Sequence, residues 1–476
     1  MNRRRFVAGI GTAAAAGLAG CNGGGDGNGS STSSSSGSGT SSSTQPQDLD
    51  FWLFGGIPAE REYISSKYKD YTTNNVSYQH KSWGNKYQII ASAAANQNLP
   101  DVLAGQCQQI PDYVGAGAIQ PVDQDEFQDM LSSLNDSFIE ANVQTQLYTG
   151  LGDTSGERQW GLPGGYADLG PFVDIRTDYL EQTSFDSPPR SWPELIQLGK
   201  EMGDIDGVTA PITTPGTNFG LTSSYFIGFV YANGGRYFDP DGLTATVDQP
   251  GFVDAVKLYQ DIADAGLFPD SIAENNHIAA GRLLRQGESG IFITLSHANA
   301  VYQTTGAPQA WLNGEGHTVT RAPLPQNPSG QFEPQELLLQ NAQGFMLGNG
   351  MNDAKKSAAF DFMNWFNQPE RLKPWTYKQD VGIRGRVPTL KSAFEDPADL
   401  FKSQFGDLLT LYANDNLFTT TNRFPSFAGL ESVHNVLNTE ILQPVMLGNK
   451  TAEQACADAN PKVQQVIDEN LGSGSQ

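Results

Sequence analysis

Short apolar runs and amphipathic stretches alternate from the start of the structured part of the chain. DLDFWLF, at 48–54, alternates and then runs apolar up to Gly55-Gly56, the pattern of a strand closing on a turn. A helix is predicted over 58–71, with Ala59, Tyr63, Ile64 and Tyr68 on one face, then a strand over 76–80. Trp83 falls in a polar loop, followed by a predicted helix over 85–96 and a short strand over 99–103. Strand–helix–strand–helix–strand order predicts a mainly parallel sheet covered by helices. In such sheets the ligand crevice lies beyond the carboxyl ends of the strands, so the residues just after each strand carry the interest.

Further along, GLPGGYADLGPFVDI (161–175) reads as a crossing segment that ends in a new strand. It lacks both GxxxxGK[ST] and a GxGxxG opening a helix, so its glycines fit a tight crossover and not a phosphate cradle. A helix over 192–202 is predicted with Ser191 as its N-cap before Pro193. Helices are also predicted over 225–232, 252–265 and 354–366, with turns at 233–235 and 239–242 and strands over 290–294 and 318–322. The segment 430–470 reads as helical, broken at Pro444 and Gly448. No internal repeat is visible, which argues against a repetitive surface protein.

Composition narrows the partners. The 476 residues hold 52 acidic and 29 basic side chains, a formal net charge of −23, with 38 % hydrophobic residues. This is a globular composition, with length for one large or two medium domains. Its charge repels nucleic acid and anionic headgroups. Acid excess with few lysines suits a protein kept in high salt or an ordinary acidic secreted protein.

The amino terminus, MNRRRFVAGIGTAAAAGLAGC, is an export signal by layout: arginines, then an apolar run too short to stay in a bilayer. Arg3 to Phe6 resembles a twin-arginine signal, and Leu18 to Cys21 resembles a lipobox in which Cys21 becomes the lipidated first residue. The expected division is a signal at 1–20 and a Gly/Ser-rich tether at 21–47. With the acidic chain, the combination resembles a haloarchaeal lipoprotein, held at the extracellular face of the membrane by its lipid alone. Cys107 and Cys456 remain as a possible disulfide or as two buried thiols, with the thiols favoured. With no CxxC, no HExxH and no G-x-S-x-G, the sequence offers no metal, cofactor or serine-hydrolase motif. Glycosidase carboxylates cannot be paired by spacing.

Several segments in order resemble the sugar-type extracellular solute-binding proteins of ABC importers, which include maltose- and multiple-sugar-binding proteins. They are DLDFWLFGG, ASAAANQNLPDVL, GLPGGYADLGPFVDIRTDYLEQT, PPRSWPELIQLGKEM, YANGGRYFDPDG, VDQPGFVDAVKLYQDIADAGLFPD, RQGESGIFITLSHAN, AKKSAAFDFMNWFNQPE and VGIRGRVP. The resemblance implies an α/β, two-lobe periplasmic-binding-protein-like fold with discontinuous lobes, a hinge and an interlobe cleft. Lobe 1 would take 48–163 and 323–372, lobe 2 164–322 and 373–476. It implies no enzyme activity, a monomer, a sugar or oligosaccharide ligand closed between the lobes, and delivery to an ABC permease. The alternatives are a non-sugar solute, such as a glycerol phosphate ester or peptide, and a secreted carbohydrate-active enzyme.

Sugar sites combine aromatic faces with planar polar groups. Phe54 either floors the cleft or is core; Trp83 either stacks on ligand or caps the core. Gln106 and Gln108 follow the third strand, where the family places ligand contacts. Tyr166 and Asp168 follow the crossover glycines; Asp168 either accepts from two hydroxyls or caps a turn. Ser224 and Tyr225 fall at the second lobe's contact loop, and His297 where many members carry a stacking tryptophan. Phe345 lies on a return segment of the first lobe. Arg384, with Arg386, precedes a proline, and Phe424, with Phe427, opens the final helices.

Overall fold

Two sheets built from interleaved stretches of chain organise the molecule. A computed structural model describes residues 45–56, 58–150, 156–217, 221–239, 243–307, 319–329, 338–340, 342–372, 387–392 and 427–471. All fall within the unit Gln45–Gln476.

The first sheet starts with β1 (Asp48–Phe54), which pairs in parallel with both β2 (Asn75–Lys81) and β3 (Val102–Gln106). Helix α1 (Pro58–Lys67), extended by a 3-10 turn, joins β1 to β2, and α2 (Lys86–Ala95) joins β2 to β3. A return strand, Gln343–Gly348, runs antiparallel to β3 and also pairs with Ile119–Gln120 and Gly161–Pro163. The β1 pleat separates two apolar layers. Leu49, Phe51 and Leu53 meet the helix Asp353–Phe366 side, while Trp52 and Phe54 meet the α2 side.

β3 begins three residues later than the sequence pattern predicts. Pro100 has no N–H to give a ladder. Asp101 instead ties the entry down: its N–H donates to the Asp50 carbonyl, and its Oδ2 accepts from the Asp50 N–H at 2.7 Å.

The crossover glycines are explained by close approach. A Cβ on Gly164 would lie 2.6–2.8 Å from Gln343 atoms, and one on Gly161 2.6 Å from Gln146 Oε1. The Gly164 carbonyl accepts from both Asn142 Nδ2 and Thr389 Oγ1. After it, the single predicted strand is two: β4 (Tyr166–Gly170) and β5 (Phe172–Arg176). β4 sits between Leu338–Gln340 and Val387–Pro388 in a three-stranded ribbon.

β5 enters the second sheet, between β6 (Ile291–Thr294) and Val319–Pro323, with Ile212–Thr213 beyond β6. Val173, Ile175, Ile291 and Ile293 face one large core; Phe292 faces a smaller one with Tyr225 and Tyr302. On β5, Asp174 is buried and accepts two hydrogen bonds from Arg321 (2.7 and 2.8 Å) and one from Tyr302 (2.7 Å). A buried carboxylate persists only with this degree of pairing. Helix Trp192–Gly203 starts with a capping box in which Ser191 and Glu194 satisfy each other's backbone N–H groups.

The C-terminal segment opens with α3 (Leu430–Val436) and ends with α4 (Ala452–Asn470). The predicted break at Gly448 is real, with φ +69°. The predicted break at Pro444 is not. A π-helical stretch, Leu437–Leu442, widens the turn before it, so the proline enters at the start of the next helical turn, where its missing N–H costs nothing. Leu390, on the lobe 2 side of the expected boundary, packs in the first sheet's core and bridges to Phe138. Cys107 and Cys456 are both buried thiols that no disulfide joins.

Candidate functional site

Two polar clusters stand where strands end. The first grows from the second sheet. β6 runs into Leu295-Ser296-His297, and Arg321 Nη1 donates to the Ser296 carbonyl at 3.3 Å, fixing that turn. His297 Nδ1 lies 3.3 Å from Asp168 Oδ2, and its Nε2 lies 3.2 Å from the Tyr225 hydroxyl. Asp168 is 1 % exposed, on β4; Tyr225 is fully buried, in the helix Leu221–Ala232. A proton on Nδ1 facing the carboxylate leaves Nε2 to accept from the tyrosine hydroxyl. The ring is thus fixed by the Tyr225 hydroxyl at Nε2 and faces the Asp168 carboxylate at Nδ1. The edges of Tyr225 and His277 stand against it, with centroids 6.3 and 5.8 Å away. Ser224 is buried beside Tyr225.

The second cluster lies beyond β1 and β3. Gly55 has φ +77°, and a Cβ there would come within 2.9 Å of the Trp83 ring, so the indole packs directly on a bare piece of backbone. Three residues on, Lys86 opens α2 and is 6 % exposed. Its ammonium lies 4.5 Å from the Trp83 ring centroid and 4.2 Å from that of Tyr87. After β3, Gln109 accepts from the Tyr113 hydroxyl at 2.8 Å, and Tyr113 stands 6.3 Å from both Phe54 and Tyr87. Across from these, α3 reaches in. Gly429 N–H donates to Asp112 Oδ1 at 2.9 Å, and Ala428 N–H to the Tyr148 hydroxyl at 3.4 Å.

Burial sets the ionisation of this cluster. It raises the Asp112 carboxyl to about 6, against the Gly429 hydrogen bond, which lowers it; the Glu431 charge adds to the rise and Lys86 opposes it. Burial lowers Lys86, while Glu431 and Asp112 pull it back up. His434, on α3, is lowered to about 4, chiefly by burial.

The predicted residues divide by placement. Asp168, Tyr225 and His297 meet; Trp83 roofs Gly55. Gln106 ends β3 opposite Gln343, and Gln108 is half-buried in the turn after it. Phe54 is 3 % exposed among Trp52 and Tyr113. Phe345 is wholly buried against Phe51 and Phe366, so its ring has no face for a ligand; it is a core residue. Tyr166 pairs through its backbone with Pro388. Phe427 packs on Phe238 at 4.9 Å. Cys21, Arg384, Arg386 and Phe424 lie outside the described residues. Lys86, Tyr87, Asp112 and Glu431 escaped the sequence reading. The one signal was position: Lys86 and Tyr87 open the helix directly behind the Trp83 loop.

Residues 65–404 match the family described as bacterial extracellular solute-binding protein. This chain belongs to that family.

Among curated relatives, the solute-binding protein is 25 % identical over 183 residues to a binding protein of Brucella abortus, and 24 % identical over 246 residues to an ABC transporter-binding protein of Deinococcus radiodurans. The matches take in 38 % and 50 % of this chain, and span 41 % and 54 % of the relatives' own lengths. Solved structures share its fold. Maltose-bound MalE3 of T. maritima superposes with a TM-score of 0.71 at 18 % identity, covering 88 % of this chain and 99 % of that one. The GacH receptor of Streptomyces glaucescens, solved unliganded and with acarbose, gives 0.69 at 16 %, covering 89 % and 99 %. An Agrobacterium radiobacter ABC transporter solute-binding protein in complex with ribitol gives 0.69 at 17 %, covering 89 % and 100 %. The solute-binding protein therefore has the two-lobe periplasmic-binding-protein-like fold.

Proposed function

We propose that this protein is the substrate-binding component of an ABC importer, that it captures a sugar or oligosaccharide between its lobes, and that it is no enzyme. The observation that carries the reading is the family match over 65–404 on a two-lobe fold. Relatives of the same fold hold maltose, acarbose or ribitol, all rich in hydroxyls. The paired strand-end clusters suit such a ligand: an imidazole hydrogen-bonded to Tyr225 and facing the Asp168 carboxylate, and an indole with a cation over its ring. The assigned lobes are 48–163 with 323–372, and 164–322 with 373–476. The segment around Leu390 belongs to the first by its packing. Cys21 carries the lipid, and the 21–47 tether keeps the monomeric body near its permease at the outer face of the membrane, after twin-arginine export.

Titration calorimetry against neutral mono- and oligosaccharides, a glycerol phosphate ester and a peptide tests the ligand class. Saturable heat with a saccharide is expected. Heat only with the ester or the peptide would replace the sugar by that solute. Separately, Cys21→Ser is expected to release the protein from membranes into the medium.

A further inference from the structure

The clusters differ in one respect that bears on ligand choice. Lys86 is nine-tenths buried, yet its ammonium has no hydrogen bond or ion pair among the described residues; only the two ring faces meet it. Two such contacts offset part of an ammonium's lost hydration, but they use none of its three N–H donors. Glu431, half-buried on α3, likewise has no hydrogen bond or ion pair among the described residues. Each feels the other electrostatically, together with Asp112, but no ion pair joins them. A donor on the first-sheet side and an acceptor on the C-terminal side thus stand apart, with the Trp83 indole alongside.

We propose that Lys86 and Glu431 together read an uncharged, hydroxyl-bearing ring packed beside Trp83, Lys86 donating to its oxygens and Glu431 accepting from its hydroxyls, and that the pair excludes anionic sugars. The inference rests on the sugar-binding reading. The charge balance gives the exclusion. Asp112 and Glu431 set two carboxylates against one ammonium, so a ligand carboxylate would gain Lys86 and lose to both acids. A neutral diol makes both kinds of hydrogen bond and brings no charge. Asp112 is less suited to serve as the acceptor: its Oδ1 is committed to Gly429 and its Oδ2 is buried, whereas Glu431 is only half-buried.

The test is calorimetry on the full-length protein with matched neutral and acidic sugars: glucose and glucuronate, galactose and galacturonate, with maltose and cellobiose as disaccharides. The wild type is expected to bind a neutral member at least tenfold more tightly than its uronate. Lys86→Met is expected to weaken the neutral sugar at least tenfold, with Lys86→Arg recovering part of the loss. Glu431→Gln is expected to narrow the neutral-to-uronate ratio at least fivefold. Since Glu431 is partly exposed, that variant stands if Lys86→Met does not fold. A wild type that takes the uronate as well as the neutral sugar would overturn the inference. So would a folded Lys86→Met that binds within twofold of the wild type, or a Glu431→Gln with an unchanged ratio; the sugar-binding reading survives all three. A wild type that binds no saccharide of either kind removes both.

Discussion

The two strand-end clusters are built from similar parts and are finished differently. Around His297 the groups face one another: Nδ1 stands 3.3 Å from the Asp168 carboxylate, Nε2 is hydrogen-bonded to the Tyr225 hydroxyl, and Arg321 holds the turn that presents the ring. Around Lys86 the charges are present, but Lys86 and Glu431 make no hydrogen bond or ion pair among the described residues. A site finished in the free protein is preorganised and costs little to bind to. A site with unspent groups is unstable in itself and gains from a ligand what it lacks. One lobe therefore supplies a fixed surface, and the contact with α3 supplies a demand for oxygen atoms.

The largest expected effect separates two ionisations within the Lys86 cluster. Asp112 has its folded pKa raised from 3.8 to about 6, so its contribution to stability is present below pH 3.8 and is lost as pH rises through 6. His434 has its folded pKa lowered from 6.5 to about 4, so its contribution is present above pH 6.5 and is lost as pH falls through 4. Each slope is on the order of 3 kcal/mol, and between pH 4 and 6 they oppose and largely cancel. Urea denaturation across this window should show Asp112→Asn gaining stability with rising pH and His434→Gln losing it. Parallel profiles for the two variants would contradict the burial assigned to both.

A smaller effect compares the clusters directly. Asp168→Leu removes the buried carboxylate that faces the His297 ring at 3.3 Å and should cost about 1–3 kcal/mol, the cost of leaving a buried polar group without its partner. Lys86→Met removes an ammonium that makes no hydrogen bond, and should cost under about 1 kcal/mol, the share of the ring contacts. Denaturant midpoints that rank the two in the opposite order would erase the distinction between a finished and an unfinished site.

The smallest concerns Trp83. Gly55→Ala puts a side chain into a left-handed conformation, at about 1–2 kcal/mol, and must push the indole off the backbone. A red shift in tryptophan emission is the expected sign. An unshifted spectrum would mean that the ring does not rest there.

Local order was legible in the sequence; pairing at a distance was not. β1, α2 and the Ser191 cap follow from alternation, from helical periodicity and from a serine before a proline, all of which act within a few residues. Asp168, Tyr225 and His297 were nominated one by one, from their place in a familiar order of segments, and nothing local said that they touch. Lys86 and Glu431 gave less: each reads as a solvated charge on a helix, and only the fold removes the solvent from one of them. Phe345 failed for the opposite reason. Its strand is buried on both faces, so no alternation distinguishes a core ring from a cleft ring. Pro444 misled because a proline breaks an α-helix but not a chain that has already widened its turn.

Gly55 has a consequence for anyone who would redirect this protein. The height of the roof over β1 is set by a missing methyl group, not by a contact that could be traded for another. Position 83 is then a dial and position 55 a stop. The ring can be exchanged for a smaller or larger plane to change what fits beneath or beside it, while the residue that lets any ring lie there at all admits no alternative.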